Sequence, residues 1–353
     1  MAYLELQNIA IEFSDFKIED INIQLDKGKF LVLLGHSGSG KTSLIQAICG
    51  IVPIAQGKVL LNGVCINDLP IHKRKIGMVF QDFALFPHLN VFENIAFGLR
   101  IKKAKNIDKK VQDLLELIEL PNYSKRRVYE LSGGEKQRIA LARTIAAEPD
   151  IILFDEPMSA LDESLRDRLR ATIKNVVKQM NITTIYVTHD QKEAFYLADY
   201  IGIMHAGRLI RYDTGDNIWQ QPQNQLTADF LGVHNQFDAT VKAKNHESNM
   251  FFYKLDVKGI ELSIHSTQKL ELNQRVKICF RAESVFLSFK NEGVNSFEST
   301  ILDYKIFGST ISFTLQVQNL HISSKTFRII NLENYSNQTL YCTIPEHAIS
   351  IID

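Results

Sequence analysis

Residues 30–43 read FLVLLGHSGSGKTS: five apolar residues, a six-residue turn containing Gly35, Gly38 and Gly40, and then Lys41-Thr42-Ser43 opening a helical pattern. The apolar run predicts a buried strand. The glycines supply positions where the backbone takes positive φ or comes close to an anion. In the loop Gly35-His36-Ser37-Gly38-Ser39-Gly40 the N–H groups then point inward, backed by the N-terminus of a helix whose Leu44, Ile45 and Ile48 share one face. That arrangement receives phosphate. Lys41 adds a positive charge suited to the β/γ bridge of a nucleoside triphosphate, and Thr42, followed by Ser43, adds a hydroxyl suited to Mg²⁺.

The rest of the chain must supply what such a loop needs. Its 353 residues suffice for two domains with buried cores. The 40 basic and 40 acidic residues cancel, so no global field draws the chain to nucleic acid or anionic lipid, and no nucleic-acid partner is expected. No apolar run approaches the roughly 18 residues that span a bilayer. The opening MAYLELQNIA lacks a basic region followed by an apolar stretch, so a cytoplasmic location is expected. Cys49, Cys65, Cys279 and Cys342 are far apart and form no CxxC pair, which reads as buried free thiols.

Before the phosphate loop, Tyr3–Leu6 and Ile18–Leu25 alternate as strands, with Phe13 in the turn between them. An aromatic there suits stacking on an adenine ring and equally suits a core. Gly57–Cys65 predicts a hairpin around Asn62-Gly63, and Ile76–Phe80 a short buried strand ending at Gln81. Phe83 to Leu89 follow as an apolar patch broken by Pro87, read as exposed aromatics that form a partner surface. Helical patterns run on to about Tyr129. The basic clusters 102–110 and 125–127 read as solvated helix faces, since acidic residues interleave from Asp108 to Glu119.

Leu131-Ser132-Gly133-Gly134-Glu135 opens another helix, to about Ala147, with a serine cap and two glycines that make a second anion-receiving terminus. Ile151–Phe154 then runs into Asp155-Glu156. Carboxylates at the carboxyl end of a parallel strand lie where ligands of open α/β sheets bind. There Asp155 would orient Mg²⁺ through its water shell and Glu156 would act as general base on the attacking water. Leu161 to Val177 carries a helical apolar stripe ended by Asn181. Ile182–Val187 is a further strand, and it places His189 at a strand end in line with Glu156. The succession specifies an α/β unit with a mostly parallel sheet and a helical subdomain at about 82–147.

From Gly232 the pattern changes. Residues 253–259 and 311–317 alternate apolar with polar, as half-exposed antiparallel strands do. A small, barrel-like all-β domain over 232–353 is expected. Its 12 basic and 12 acidic residues from 236 onward argue against a nucleic-acid groove.

GHSGSGKT, Gln81 at a strand end, LSGGEKQR, IILFDEP and THD stand in one order, and over residues 1 to about 231 that order resembles the ATP-binding-cassette (ABC) ATPases, P-loop proteins of α/β fold. LSGGE separates the likeness from simple P-loop kinases and GTPases. The resemblance implies ATP hydrolysis with Mg²⁺, with Phe13 as the adenine-stacking aromatic and Gln81 as a Mg²⁺ ligand that relays to a membrane partner. It further implies that Ser132, Gly133, Gly134 and Glu135 cap the ATP of the opposite subunit in a homodimer. Ser159-Ala160-Leu161-Asp162 looks like the loop coupling the two sites, and His189 like the switch histidine at the γ-phosphate. PHLNVFENIAFGL, the β-rich tail, Phe230-Leu231-Gly232 with Asn235, and Phe280-Arg281-Ala282-Glu283 are similar to importer ATPases with a C-terminal OB-like (TOBE-like) regulatory domain. That group serves maltose, ferric iron, molybdate, sulfate and polyamine uptake. The likeness implies a peripheral subunit on the cytoplasmic side of the inner membrane. It would be docked near Phe83–Leu89 to integral membrane permease subunits that work with an external solute-binding protein. His36 where proline is common, Lys136 for glutamine and Ala282 for proline depart from the pattern.

Overall fold

The computed structural model describes residues 2–159, 162–247, 250–327 and 339–353. They divide into two compact units, Met1–Gly215 and Asp216–Asp353. Ala160 and Leu161, part of the expected coupling loop, lie outside the described residues.

The first unit opens with β1 (Leu4–Glu12) and β2 (Lys17–Leu25), followed by β3 (Phe30–Leu34) and α1 (Lys41–Cys49). β4 (Gln56–Leu61) and β5 (Val64–Cys65) form the hairpin expected at Asn62-Gly63, and both turn residues have positive φ, 50° and 76°. A two-residue turn of type I′ requires that conformation, which explains the Asn-Gly pair. Cys65 is exposed on this short edge strand, against the expectation of four buried thiols; the other three are buried. In β1 the buried positions jump from Leu6 to Ile9. The register shifts there and Asn8 takes φ 48°, so a bulge returns the apolar side chains to one face.

β6 (Ile76–Val79), α2 (Val91–Ile101), α3 (Ile107–Leu117), α4 (Gly133–Ala146) and β7 (Ile151–Asp155) follow. Then come α5 (Glu163–Met180), β8 (Thr183–Thr188), α6 (Gln191–Leu197), β9 (Tyr200–His205) and β10 (Arg208–Asp213). Two sheets result. One is antiparallel in the order β2-β1-β4-β5, and the other has six strands in the order β10-β9-β3-β8-β7-β6. In the second, β9, β3, β8, β7 and β6 are mutually parallel and only β10 runs antiparallel. β3, β7 and β8 are buried along their whole length, as strands covered on both faces must be. Their residues join those of α1 and the antiparallel sheet in one core. α2, α3 and α4 enclose a separate core built on Val91, Ile95, Leu99, Leu115 and Ile139.

Among its described residues the second unit contains the rest of α7 (Gly215–Gln220), α8 (Gln225–Phe230) and ten strands: β11 (Asn235–Glu247), β12 (Met250–Val257), β13 (Ile260–Ser266), β14 (Arg275–Phe280), β15 (Phe286–Ser288), β16 (Ser296–Phe307), β17 (Thr310–Val317), β18 (Leu320–Phe327), β19 (Leu340–Thr343) and β20 (Ser350–Ile352). The strand pairs among these described residues are all antiparallel. Where a barrel-like form was expected, the described strands pair as two five-stranded sheets, β13-β12-β11-β14-β20 and β15-β19-β16-β17-β18, over one shared core. The unit begins before the change of pattern at Gly232 because α7 and α8 are tied to β14 and β20. Arg281 donates to the Trp219 carbonyl at 3.0 and 3.2 Å, and Lys277 donates to Gln225 at 2.7 Å.

Candidate functional site

The carboxyl ends of β3, β7 and β8 lie side by side, and the connections leaving them carry the residues that the sequence singles out. β3 runs into the glycine loop. Gly38 (φ 79°) and Gly40 (φ 99°) take left-handed conformations, Gly40 as the cap of α1. Gly35 is required for another reason: a Cβ there would lie 2.4 Å from the Met204 carbonyl oxygen. His36, Ser37 and Gly38 are exposed at the rim, and Ser39 is buried.

Lys41 is 4 % exposed, and its Nζ donates to the carbonyls of Gly35 at 2.8 Å and His36 at 2.9 Å. The ammonium is thus folded back over the glycine loop. Burial pulls its pKa down, and the charges of Glu156 and Asp155 oppose that. In the first turn of α1, Thr42 Oγ1 donates to Asp155 Oδ1 at 2.6 Å, and Ser43 follows it half-buried. Burial pushes the Asp155 carboxyl up and Glu156 adds to it, while Thr42 and Lys41 hold it down. A hydroxyl and a carboxylate brought together beside a phosphate loop are the hard oxygen donors that suit Mg²⁺ alongside phosphate and water. Among the described residues no cluster of three or more His, Cys, Asp or Glu forms a metal cage.

Glu156 has φ 41°, a left-handed conformation unusual outside glycine. Its N–H bonds to the Val187 carbonyl at 3.1 Å, and its Oε2 lies 3.1 Å from His189 Nδ1. Glu156 and His189, 33 residues apart in sequence, therefore meet at neighbouring strand ends. Gln81 Nε2 donates to Ser159 Oγ at 3.1 Å, and that hydroxyl donates to the Glu156 carbonyl at 3.1 Å. Phe13 is 41 % exposed beside Phe16, ring centroids 6.4 Å apart and 29° from parallel. Phe16 borders the loop directly: a Cβ on Gly40 would stand 3.2 Å from its ring.

Ser132 caps α4 in a reciprocal box. Its Oγ accepts from the Glu135 amide, and Glu135 Oε2 accepts from the Ser132 amide at 2.7 Å. Tyr123 donates to the other Glu135 oxygen at 2.6 Å. Burial raises the Glu135 pKa, but these bonds outweigh it and hold the carboxylate below its ordinary range. Gly134 is buried because Leu165 leaves no room: a Cβ would meet its Cδ1 at 2.9 Å. Gly133 and Gly134 open the helix, where amides have no intrahelical partner. Asp162 caps α5 by accepting from the Leu165 amide at 2.9 Å.

The Phe83–Leu89 patch differs from its expected form. Phe83 and Phe86 are half-buried rather than exposed, since Phe86 packs on Phe97 at 4.6 Å and the Arg143 guanidinium lies over its ring. Arg143 also donates to the carbonyls of Phe83 and Ala84, and the wholly buried Asn94 bonds both the N–H and the carbonyl of Phe86. Sequence reasoning passed over Tyr123, Asn94, Arg143 and Arg166. An arginine or asparagine on a helix face shows nothing of its partner until the chain folds back.

Residues 18–159 match the family model described as ABC transporter. The fold is also similar to the solved structure of CbiO1 from Clostridium perfringens, described as part of the ABC transporter complex CbiONQ. Identity is 27 % and the TM-score 0.58, over 62 % of this chain and 90 % of that one.

Proposed function

We propose, from the premise that this chain carries an ABC transporter ATP-binding domain and is an ATPase, that it is the energising subunit of a solute importer. Two copies close head to tail on two ATP molecules. Each nucleotide lies between the Lys41 loop of one copy and Ser132-Gly133-Gly134 of the other, with Glu135 holding the cap in shape and Asp162 at the seam. One observation carries the reading: three distant segments bring Lys41, Thr42, Asp155, Glu156 and His189 to the ends of three adjacent strands, with Thr42 2.6 Å from Asp155 and Glu156 3.1 Å from His189.

Lys41 and the loop amides bind the β- and γ-phosphates, and Phe13 stacks on the adenine. Glu156 takes the proton of the attacking water, and His189 orients that carboxylate and reads the γ-phosphate. Thr42, Asp155 and Gln81 would hold Mg²⁺, which supplies charge neutralisation of the phosphates. Gln81 and the Phe83–Leu89 surface pass closure to permease subunits on the cytoplasmic side of the inner membrane, with an external protein delivering the solute. The carried solute is a small ion or polar metabolite of the ferric iron, molybdate, sulfate or polyamine class, and the β-rich second unit is regulatory. Among the described residues no helix is long and apolar enough to cross a membrane, which agrees with a peripheral role.

Complementation tests the shared seam. Lys41→Ala and Ser132→Arg chains should each be inactive alone. Mixed, they should recover about a quarter of wild-type turnover, because half of randomly exchanged dimers are mixed and each of those has one intact site. A mixture as silent as its parts would overturn the head-to-tail arrangement.

A further inference from the structure

We infer that Arg166 is a positioning residue for ATP hydrolysis, holding the loop after the general base and the segment carrying the histidine in one arrangement. The inference rests on the roles given above to Glu156 and His189.

Arg166 lies in the first turn of α5, three-quarters buried. Its Nε donates to the Met158 carbonyl at 3.2 Å and one terminal nitrogen to the Ser159 carbonyl at 3.5 Å. The other terminal nitrogen is 3.9 Å from Asp190 Oδ2. Asp190 follows His189 directly and caps α6, accepting from the amides of Lys192 at 2.7 Å and Glu193 at 3.3 Å. Ser159 reaches back through its hydroxyl to the Glu156 carbonyl, and the ring closes at the 3.1 Å contact between Glu156 and His189. Arg166 touches neither catalytic side chain, yet its guanidinium joins the two segments that present them.

Two features make this more than a surface ion pair. A flat fork of several donors serves two carbonyls and a carboxylate at once, which a single ammonium cannot reproduce. Glu156 also sits at φ 41°, a conformation that persists only where its surroundings over-determine it. The bonds that Ser159 makes to Glu156 and receives from Arg166 are part of those surroundings. The ion pair with Glu163, at 3.8 Å one turn away, would by itself leave turnover untouched on truncation.

The test uses the full-length ATPase and five variants. Arg166→Met should lower kcat by roughly tenfold or more, a displacement of the base by a fraction of an ångström being enough, with ATP affinity within about twofold of wild type because the loop and Lys41 are untouched. Arg166→Lys should recover less than about a third of the lost rate. Asp190→Asn should slow turnover as well, and the double variant should lose less than the product of the two single losses. Unchanged kcat in Arg166→Met, kcat and affinity falling together, full recovery by Arg166→Lys, or strictly multiplicative losses each overturn the inference. If Arg166→Met does not fold, Arg166→Lys at wild-type kcat overturns it equally. Glu156→Gln in the same assay keeps the two readings apart: it should bind ATP and turn over roughly a hundredfold or more slowly. Were it near wild type, the catalytic reading would fall; were it slow while Arg166→Met is normal, only the role of Arg166 would.

Discussion

Gly35 and Gly38 belong to one loop and are held to glycine by different physics. A Cβ on Gly35 would stand 2.4 Å from the backbone oxygen of Met204 and 2.8 Å from Ser39 Oγ. The hydroxyl can rotate away, but a backbone carbonyl held in the β9–β10 pair cannot. A Cβ on Gly38 meets nothing within 4 Å, so only its φ of 79° resists substitution. Gly35→Ala should therefore cost about 1–3 kcal/mol through overpacking and weaken ATP binding by shifting the cradle. Gly38→Ala should cost about 1–2 kcal/mol through left-handed strain alone. Denaturant midpoints and nucleotide titrations of the two variants check this. A Gly35→Ala protein with wild-type midpoint and affinity would show that the loop has slack the distances deny.

At the scale of elements, the loop leading into α2 depends on one side chain. Asn94 is wholly buried; its Oδ1 accepts from the Phe86 amide at 2.9 Å, and its Nδ2 serves the carbonyls of Phe86 at 3.1 Å and Asn90 at 3.0 Å. Asn94→Ala leaves the Phe86 amide without its acceptor and takes one of two donors from the Phe86 and Asn90 carbonyls, so a loss of about 1–3 kcal/mol is expected. Amide exchange should accelerate most at Phe86, and rates unchanged there would remove Asn94 from that role. The contrast with the sequence reading is physical. Strand-end positions of Lys41, Asp155, Glu156 and His189 were legible because burial of whole strands and glycine chemistry are local signals. The half-burial of Phe83 and Phe86 was not, because it is decided by Asn94 and Arg143, which reach the loop from helices that are distant in sequence or leave no mark of their partner. Arg166 escaped for the same reason. In the sequence it is one more charge on an amphipathic helix, and only folding brings Met158, Ser159 and Asp190 within its reach.

For the molecule as a whole, the question is where one cooperative unit stops and the next begins. The alternating pattern starts at Gly232, yet the second unit begins at Asp216, and the difference is sixteen residues of short helix that no isolated peptide would keep folded. What holds them is the sheet. Arg281 makes two bonds to the Trp219 carbonyl with its guanidinium 3.5 Å over the ring, and Lys277 bonds Gln225. Ser350 bonds the Gln220 carbonyl at 2.9 Å, and the Asp353 backbone exchanges bonds with Gln223 and Gln225 at 3.0 and 3.1 Å. Those contacts brace β14 and the short β20 from one side, and removing them leaves the Arg281 charge, whose pKa burial already lowers, without its acceptor. A fragment of residues 216–353 should therefore melt cooperatively. A fragment of residues 232–353, lacking these bonds and that from Gln236 to Asp229, each worth roughly 0.5–1.5 kcal/mol, should melt roughly 10 °C or more lower or fail to fold. Equal melting of the two would place the boundary at Gly232 after all, and α7 and α8 would then be passengers on a sheet that does not need them.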